Sequence, residues 1–516
     1  MIIENFMGGF DLVFRSNALT ALFIGTLIGY VVGAIPGMTS SIALAVIIPF
    51  TFHMEPVPSI VLMVAIYMAS EYSGAIPAIL ANAPGTPAAA PTAFDGYPMR
   101  VKGEAGKALT YSILGSGFGS LVGTILLVFT AVWIVKIAII FGPPEYFALA
   151  VLGLSLVGVL SSGSFLKGFI GLLFGLLLAT IGLDPISGNA RFTITESLLS
   201  GIPLLPALIG LFALSEVFFM LETIRRKPPE MKETPKIAMS FDLFRGMKFH
   251  LVRSAVIGYV IGVVPGAGAT IAALTSYAEA KRTAKDPETY GTGNPRGIVA
   301  SETANNAAVS GAMAPLLTLG IPGSASTAIM IGGLMIQGIQ PGPMLFVDNP
   351  TFPYAIFASL LVGLPVMLAL GLFGIRLWVK VTLIPTGALA TGITAICILG
   401  AYTNENGMYP VWVMIIAGIA GYLMRKVDIH PAPIVLALVL ATMMETNFRR
   451  ALMGNNGDPM IFLTSPISAV MLALAVLVAV APTFRLIMNR IKKPKDTADA
   501  YYLYGQGRRY VRRQSH

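Results

Sequence analysis

Uncharged apolar runs recur along the whole chain: Ser16 to Met54, Ala108 to Val135, Tyr146 to Leu166, Gly168 to Leu183, Ser254 to Ala278, Thr303 to Val347, Val381 to Asn404 and Pro459 to Phe484. Each reaches or approaches the roughly 17 to 25 residues that a helix needs to cross a bilayer. Shorter stretches such as Val57 to Ser70, Ile202 to Leu221, Met408 to Met424 and Pro431 to Met444 add to them, and the pattern predicts about 11 to 14 membrane segments, several of them interrupted. A transmembrane β-barrel would show segments of about ten residues alternating apolar and polar. Continuous runs such as IGLLFGLLLATIG, Ile170 to Gly182, do not alternate. The expected fold class is an all-α polytopic membrane protein.

The polar interruptions organise the chain. The stretch from Glu222 to Arg253 is the one long polar segment near the middle, and it divides the sequence into two apolar halves. These halves resemble each other: GYVVGAIPG (Gly29 to Gly37) returns as GYVIGVVPG (Gly258 to Gly266), with six identities in nine positions. SGAIPAILANAPG (Ser73 to Gly85) returns in the same order as SGAMAPLLTLGIPG (Ser310 to Gly323). Two matches in register indicate duplication, and transporters are often built from such repeats with the substrate site between them. The expected layout is a first transmembrane repeat at 1–221, a basic linker at 222–253, a second repeat at 254–488 and a basic tail at 489–516. The halves are expected to be inverted and to contain broken helices or re-entrant hairpins. A polar insert from Ala278 to Gly297, with charges of both signs, reads as an aqueous loop.

Composition agrees with a membrane environment. Of 516 residues 55% are hydrophobic and 11% charged, against about 25% charged in soluble domains; the mean hydropathy is +0.78. Glu4 and Asp11 precede the first basic residue, Arg15, so the first apolar run reads as a retained span rather than a cleaved secretory signal. The net charge of +9 sits mainly in the linker (Arg225, Arg226, Lys227, Lys232, Lys236, Arg245, Lys248, Arg253) and in the tail beyond Arg485. Basic segments flanking membrane spans face the cytoplasm, which accounts for the charge without nucleic acid and places the C-terminus inside the cell. The single cysteine, Cys397, lies in an apolar segment, excluding a disulfide framework and a cysteine-based metal cluster.

The candidate chemistry lies at the breaks. Pro36-Gly37, Pro84-Gly85, Pro265-Gly266 and Pro322-Gly323 are each followed by small residues, in the strings PGMTSS, PGTPAAAPT, PGAGAT and PGSAST. Proline removes a backbone donor and glycine lets the chain leave the helix, so freed backbone groups must be satisfied within the membrane. The hydroxyls of Thr39, Ser40, Thr86, Thr270, Ser324 and Ser326 can cap new half-helices, whose positive ends form anion sites. The bland alternative is a set of kinks that let helices pack closely. No Arg or Lys lies within these strings, and Arg100, Lys102, Arg191 and Arg296 are the nearby cations weighed as helpers. A second polar group, Glu302, Asn305 and Asn306 in SETANNAAVSG, suits a sodium site or a proton relay. Its alternative is an interfacial helix start with Glu302 in the first turn; Glu71 stands in a comparable place in the first half.

Several strings resemble the large permease subunit of the tripartite tricarboxylate transporters. They are GAIPG, the run from Asn82 to Leu109 (NAPGTPAAAPTAFDGYPMRVKGEAGKAL), PGAGATIAALTSYAEAKR, the block from Ser301 to Pro343, and GNNGDPMIFLTSPI from Gly454 to Ile467. The resemblance spans nearly the whole chain, with its breaks on Gly37, Gly85, Gly266 and Gly323 and its acid-Asn-Asn string on Glu302, Asn305 and Asn306. It implies a secondary carrier for citrate-like or other carboxylate anions in the bacterial inner membrane, driven by a sodium or proton gradient. The implied partners are a small membrane subunit and a periplasmic solute-binding protein, with no cofactor beyond the coupling ion. A channel, a permease for another substrate and an intramembrane enzyme are the other classes. Four scattered histidines and the lack of HExxH, GxSxG and Walker A strings give the enzyme reading no support.

Overall fold

A computed structural model describes residues 2–160, 165–222, 246–405 and 407–491. Most of the linker expected at 222–253, namely residues 223–245, and of the tail expected at 489–516, namely residues 492–516, lies outside the described residues. The described chain is almost entirely helical; its strands are Gly182–Leu183 and Ala190–Arg191, which pair antiparallel. Among the described residues eight helices are long and apolar enough to cross a membrane, and five shorter apolar helices accompany them.

At the centre runs a helix that composition alone does not mark as a span. Pro295–Leu319 is buried on all sides from Gly297 to Thr318. It starts seven residues before Glu302, so Glu302 lies two turns inside the helix rather than in its first turn, and it is fully buried. Two glycine-lined helices hold it. On Ala105–Ala138, a Cβ at Gly119 would stand 2.1 Å from the Thr303 carbonyl oxygen. On Lys248–Val263, Cβ atoms at Gly258 and Gly262 would lie 2.3 Å and 2.5 Å from the carbonyl oxygens of Ala304 and Ala308. The first half packs the same way: on Ser16–Gly33, Gly29 and Gly33 press against the backbone of Ile66 and Ser70 in Pro56–Ser73. Small residues suit this role because lipid offers no hydrophobic drive for helix association, and close backbone approach replaces it.

The breaks cross in pairs. After Ser16–Gly33 the chain turns through Gly37 at φ +85° into Ser40–Ile47. There the Gly37 N–H donates to the Pro84 carbonyl at 3.4 Å, and the Gly85 N–H donates to Gly74 at 3.0 Å. After Lys248–Val263 the chain turns through Gly266 at φ +77° into Gly268–Arg282, and the Gly266 N–H donates to the Gly323 carbonyl at 3.1 Å. Backbone groups freed by each break are thus partly satisfied by the other break of the same half, as the absence of water in a bilayer demands.

The polar insert is more structured than an aqueous loop. Its first five residues continue the helix to Arg282, and Asp95, from the buried face of Ala90–Val101, clasps the rest. One Asp95 oxygen accepts the N–H groups of Gly291, Gly293 and Asn294 at 2.8, 2.9 and 2.8 Å; the other accepts the Tyr277 hydroxyl at 2.9 Å. Lys102 donates to the Thr292 carbonyl at 2.7 Å alongside. Asp95→Ala strands these donors and is expected to lower stability by roughly 2–4 kcal/mol, with Asp95→Asn milder because it keeps an acceptor. Thermal unfolding of the detergent-solubilised variants measures this; an Asp95→Ala midpoint equal to the parent would show that the clasp contributes nothing.

Candidate functional site

The paired breaks open onto one cavity of about 600 Å³. Ten of the fourteen residues expected at a substrate site line it: Gly37, Thr39, Ser40, Pro84, Gly85, Thr86, Gly266, Thr270, Ser324 and Ser326. Pro36, Pro265, Pro322 and Gly323 are not on the lining; they shape the breaks from behind. Gly323 is buried, with a Cβ position 2.8 Å from both Ala312 Cα and the Gly262 carbonyl oxygen.

Several helices begin at this wall. Thr39 caps Ser40–Ile47, its hydroxyl accepting the Ile42 N–H at 3.3 Å. Ser324 caps Ala325–Ile336 through a reciprocal box with Thr327. Gly268–Arg282 starts on the lining without a side-chain cap, and Pro431–Gly454 starts there with His430 at its N-cap position. Hydroxyls tie the two halves together across the cavity: Ser40 to Ser326 at 2.7 Å, Ser41 to Ser326 at 3.0 Å and Tyr67 to Ser324 at 3.0 Å. The positive ends of four helices at this wall form an arrangement suited to an anion.

Three charged or titratable side chains on the wall, Arg425, Glu216 and His430, come from segments without a motif. Arg425, near the end of Met408–Lys426, donates to Glu216 at 2.6 Å, and its guanidinium stacks on the Phe219 ring at 4.2 Å. His430 lies between two spans, and burial, helped by the Arg425 charge, pushes its imidazole below the ordinary value. Glu71 also lines the cavity. None of the four cations weighed from the sequence reaches it: Arg100 stacks on Tyr97, Lys102 holds Thr292, Arg191 pairs with Glu445 and Asp184, and Arg296 pairs with Asp286.

Glu302, Asn305 and Asn306 sit behind the wall rather than on it. Glu302 accepts hydroxyls from Thr92 at 2.5 Å and Ser116 at 2.9 Å, and Ser120 approaches Asn306 at 3.5 Å. Glu302 and Asn306 therefore share the face toward Ala105–Ala138, as their spacing of four predicts. Asn305 turns the other way and donates to the Glu71 carbonyl at 3.0 Å. The Asn305 Oδ1 and Asn306 Nδ2 atoms are buried without a hydrogen-bond partner.

The sequence profile of the tripartite tricarboxylate transporter TctA family matches residues 19–436. The chain belongs to this family. An Agrobacterium vitis protein described as an uncharacterized 52.8 kDa protein in the TAR-I ttuC' 3' region is 36% identical over 499 residues, covering 96% of this chain and 99% of the relative. A second A. vitis protein, described as an uncharacterized protein in the TAR-II ttuC' 3' region, is 37% identical over 231 residues, covering 44% of this chain and 96% of its own length. No solved structure matches the chain. Family membership makes the protein the large membrane subunit of a tripartite tricarboxylate transporter. The cavity is thus the meeting point of the glycine-proline breaks in a transport protein, and its cation is one that motif reading missed. Arg425 and Lys426 end an apolar span, where basic residues ordinarily mark the interface; only packing against Glu216 shows that Arg425 turns inward.

Proposed function

We propose that this transporter subunit carries di- or tricarboxylate anions by secondary active uptake across the bacterial inner membrane, coupled to a sodium or proton gradient. The observation that supports this best is the convergence of four helix N-termini and Arg425 on one cavity. Backbone amides and hydroxyls replace the hydration of an anion, and one arginine adds a fork suited to a carboxylate. The halves are read as inverted duplicates, with the corresponding glycine pairs Gly29/Gly33 and Gly258/Gly262 in corresponding close contacts. Glu302, Asn305 and Asn306 are assigned to cation binding or to the gate beside it, since oxygen ligands are what a hard cation selects. The linker and the tail face the cytoplasm on this reading, and a small membrane subunit and a periplasmic solute-binding protein complete the system.

Reconstitution with both partner subunits, followed by a screen of labelled di- and tricarboxylates against sodium and proton gradients, tests the proposal. Uptake should saturate, require one of the gradients and, at low substrate, require the solute-binding protein. In the same assay Asn305→Ala should weaken the cation dependence more than the substrate affinity. Flux that neither saturates nor depends on a gradient would identify a channel instead.

A further inference from the structure

An anion site that contains a buried, unpaired acid needs an account of that acid. Glu71 is 6% exposed and lines the cavity. Its Oε1 accepts the Ser40 hydroxyl at 2.6 Å, and Ser40 is itself bonded to Ser326. Among the described residues no basic side chain comes within ion-pair distance of Glu71; the cavity's arginine is engaged by Glu216 instead. With both acids ionised and His430 neutral, the wall carries one net negative charge, which repels the anion that the helix ends attract. Burying a lone carboxylate is itself unfavourable by several kcal/mol unless something neutralises it.

Oxygen atoms suited to a cation surround that carboxylate. Besides Ser40 and Ser326, Ser41 lies 3.0 Å from Ser326, and the Thr86 hydroxyl is buried beside Glu71. These hydroxyls belong to the same cap segments that face the anion space. The titratable groups facing Glu71 are Tyr67 on its own helix, Glu302 behind it, and Glu216, Arg425 and His430 on the cavity wall. Asn305 holds the Glu71 backbone carbonyl and so connects it to the Glu302 layer.

We propose that Glu71 is the coupling carboxylate: a sodium ion held by Glu71 and the adjoining hydroxyls, or a proton on Glu71, cancels the charge that otherwise keeps the carboxylate substrate out of the cavity. The inference rests on the carboxylate reading of the cavity and adds the group through which cation and anion meet. Cation and anion then enter together because each removes the electrostatic penalty of the other, which is a coupling of binding free energies.

The test measures equilibrium binding of labelled citrate, malate and succinate to the full chain in lipid nanodiscs, across a sodium series at fixed pH and a pH series without sodium. For the wild type, removing the coupling cation should weaken anion binding at least about ten-fold, the scale of one unit charge a few ångströms away. The arm that shows this identifies the cation. Glu71→Gln should bind the anion with less than about two-fold dependence on either cation. Glu71→Gln that keeps the wild-type cation dependence, or a wild type that binds the anion equally with and without both cations, would overturn the proposal. A wild type that binds none of the three anions would instead overturn the carboxylate reading beneath it. Ser40→Ala serves if Glu71→Gln does not fold: it should raise the cation concentration for half-maximal anion binding several-fold, and an unchanged midpoint would count against Glu71.

Discussion

Gly85→Val is expected to yield no folded protein. A glycine at a helix break can serve to let substrate approach the backbone, but the packing gives Gly85 a different burden. A Cβ at Gly85 would stand 1.8 Å from the Gly33 carbonyl oxygen and 2.8 Å from Gly74 Cα. Both contacts are backbone, so no side chain can swing aside, and the break at Pro84 would have to leave the break at Pro36. Overpacking in a tight core typically costs about 1–3 kcal/mol; two clashes with immovable backbone exceed that and approach the whole stability of roughly 5–15 kcal/mol. Fluorescence-detected size exclusion should show loss of the monodisperse peak. A well-folded but inactive Gly85→Val would restore the view that this glycine only clears space for substrate. Gly37 is the better functional probe, because a Cβ there meets only Glu216 Oε1 at 3.6 Å. At φ +85° an alanine costs about 1–2 kcal/mol of backbone strain, which a folded variant can absorb.

These contrasts show what was legible before the structure. Glycine-proline pairs inside apolar runs identify helix breaks because their backbone consequences are local. The breaks themselves and the hydroxyls of Thr39 and Ser324 follow from strings a few residues long, but the contacts between breaks do not: the repeats match Gly37 with Gly266, whereas the Gly37 N–H bonds to Pro84. Arg425, Glu216 and His430 follow from none. Arg425 and Glu216 are 209 residues apart and meet only through the packing of Met408–Lys426 on Leu204–Glu222. A basic residue at the end of a span has the same local pattern whether it faces lipid headgroups or a cavity. Pro295–Leu319 shows the reverse limit. Its apolar run, from Thr303, is visible in the sequence, but its central position is not: Glu302, Asn305, Asn306 and several hydroxyls make it polar, and enclosure by glycine-lined neighbours makes that polarity tolerable. The clasp of Asp95 on Gly291, Gly293 and Asn294 is illegible for the same reason: an aspartate before Gly-Tyr-Pro looks like a solvated helix end until the loop from the other half folds over it.

Arg425→Ala should cause the largest loss of anion affinity among substitutions that leave the fold intact. Its side chain is about one-third exposed, so truncation opens no sealed core. Among the described residues one hydrogen bond, to Glu216, engages its guanidinium, and a guanidinium can serve two carboxylates at once. Truncation acts twice, removing the cavity's arginine and uncovering the Glu216 charge beside the Gly37 turn. Loss of charge-assisted hydrogen bonds together with the exposed acid is worth roughly 2–4 kcal/mol, or about 30- to 1,000-fold in Kd. Arg425→Lys keeps the charge without the planar fork and should recover part of this loss. The double variant Arg425→Ala/Glu216→Gln separates the two contributions. It should bind the anion better than Arg425→Ala, because the uncovered acid is gone, yet worse than the wild type, because the donor is still missing. Equal affinity in the double variant and the wild type would mean that Arg425 only masks Glu216, and that the helix ends hold the substrate without it.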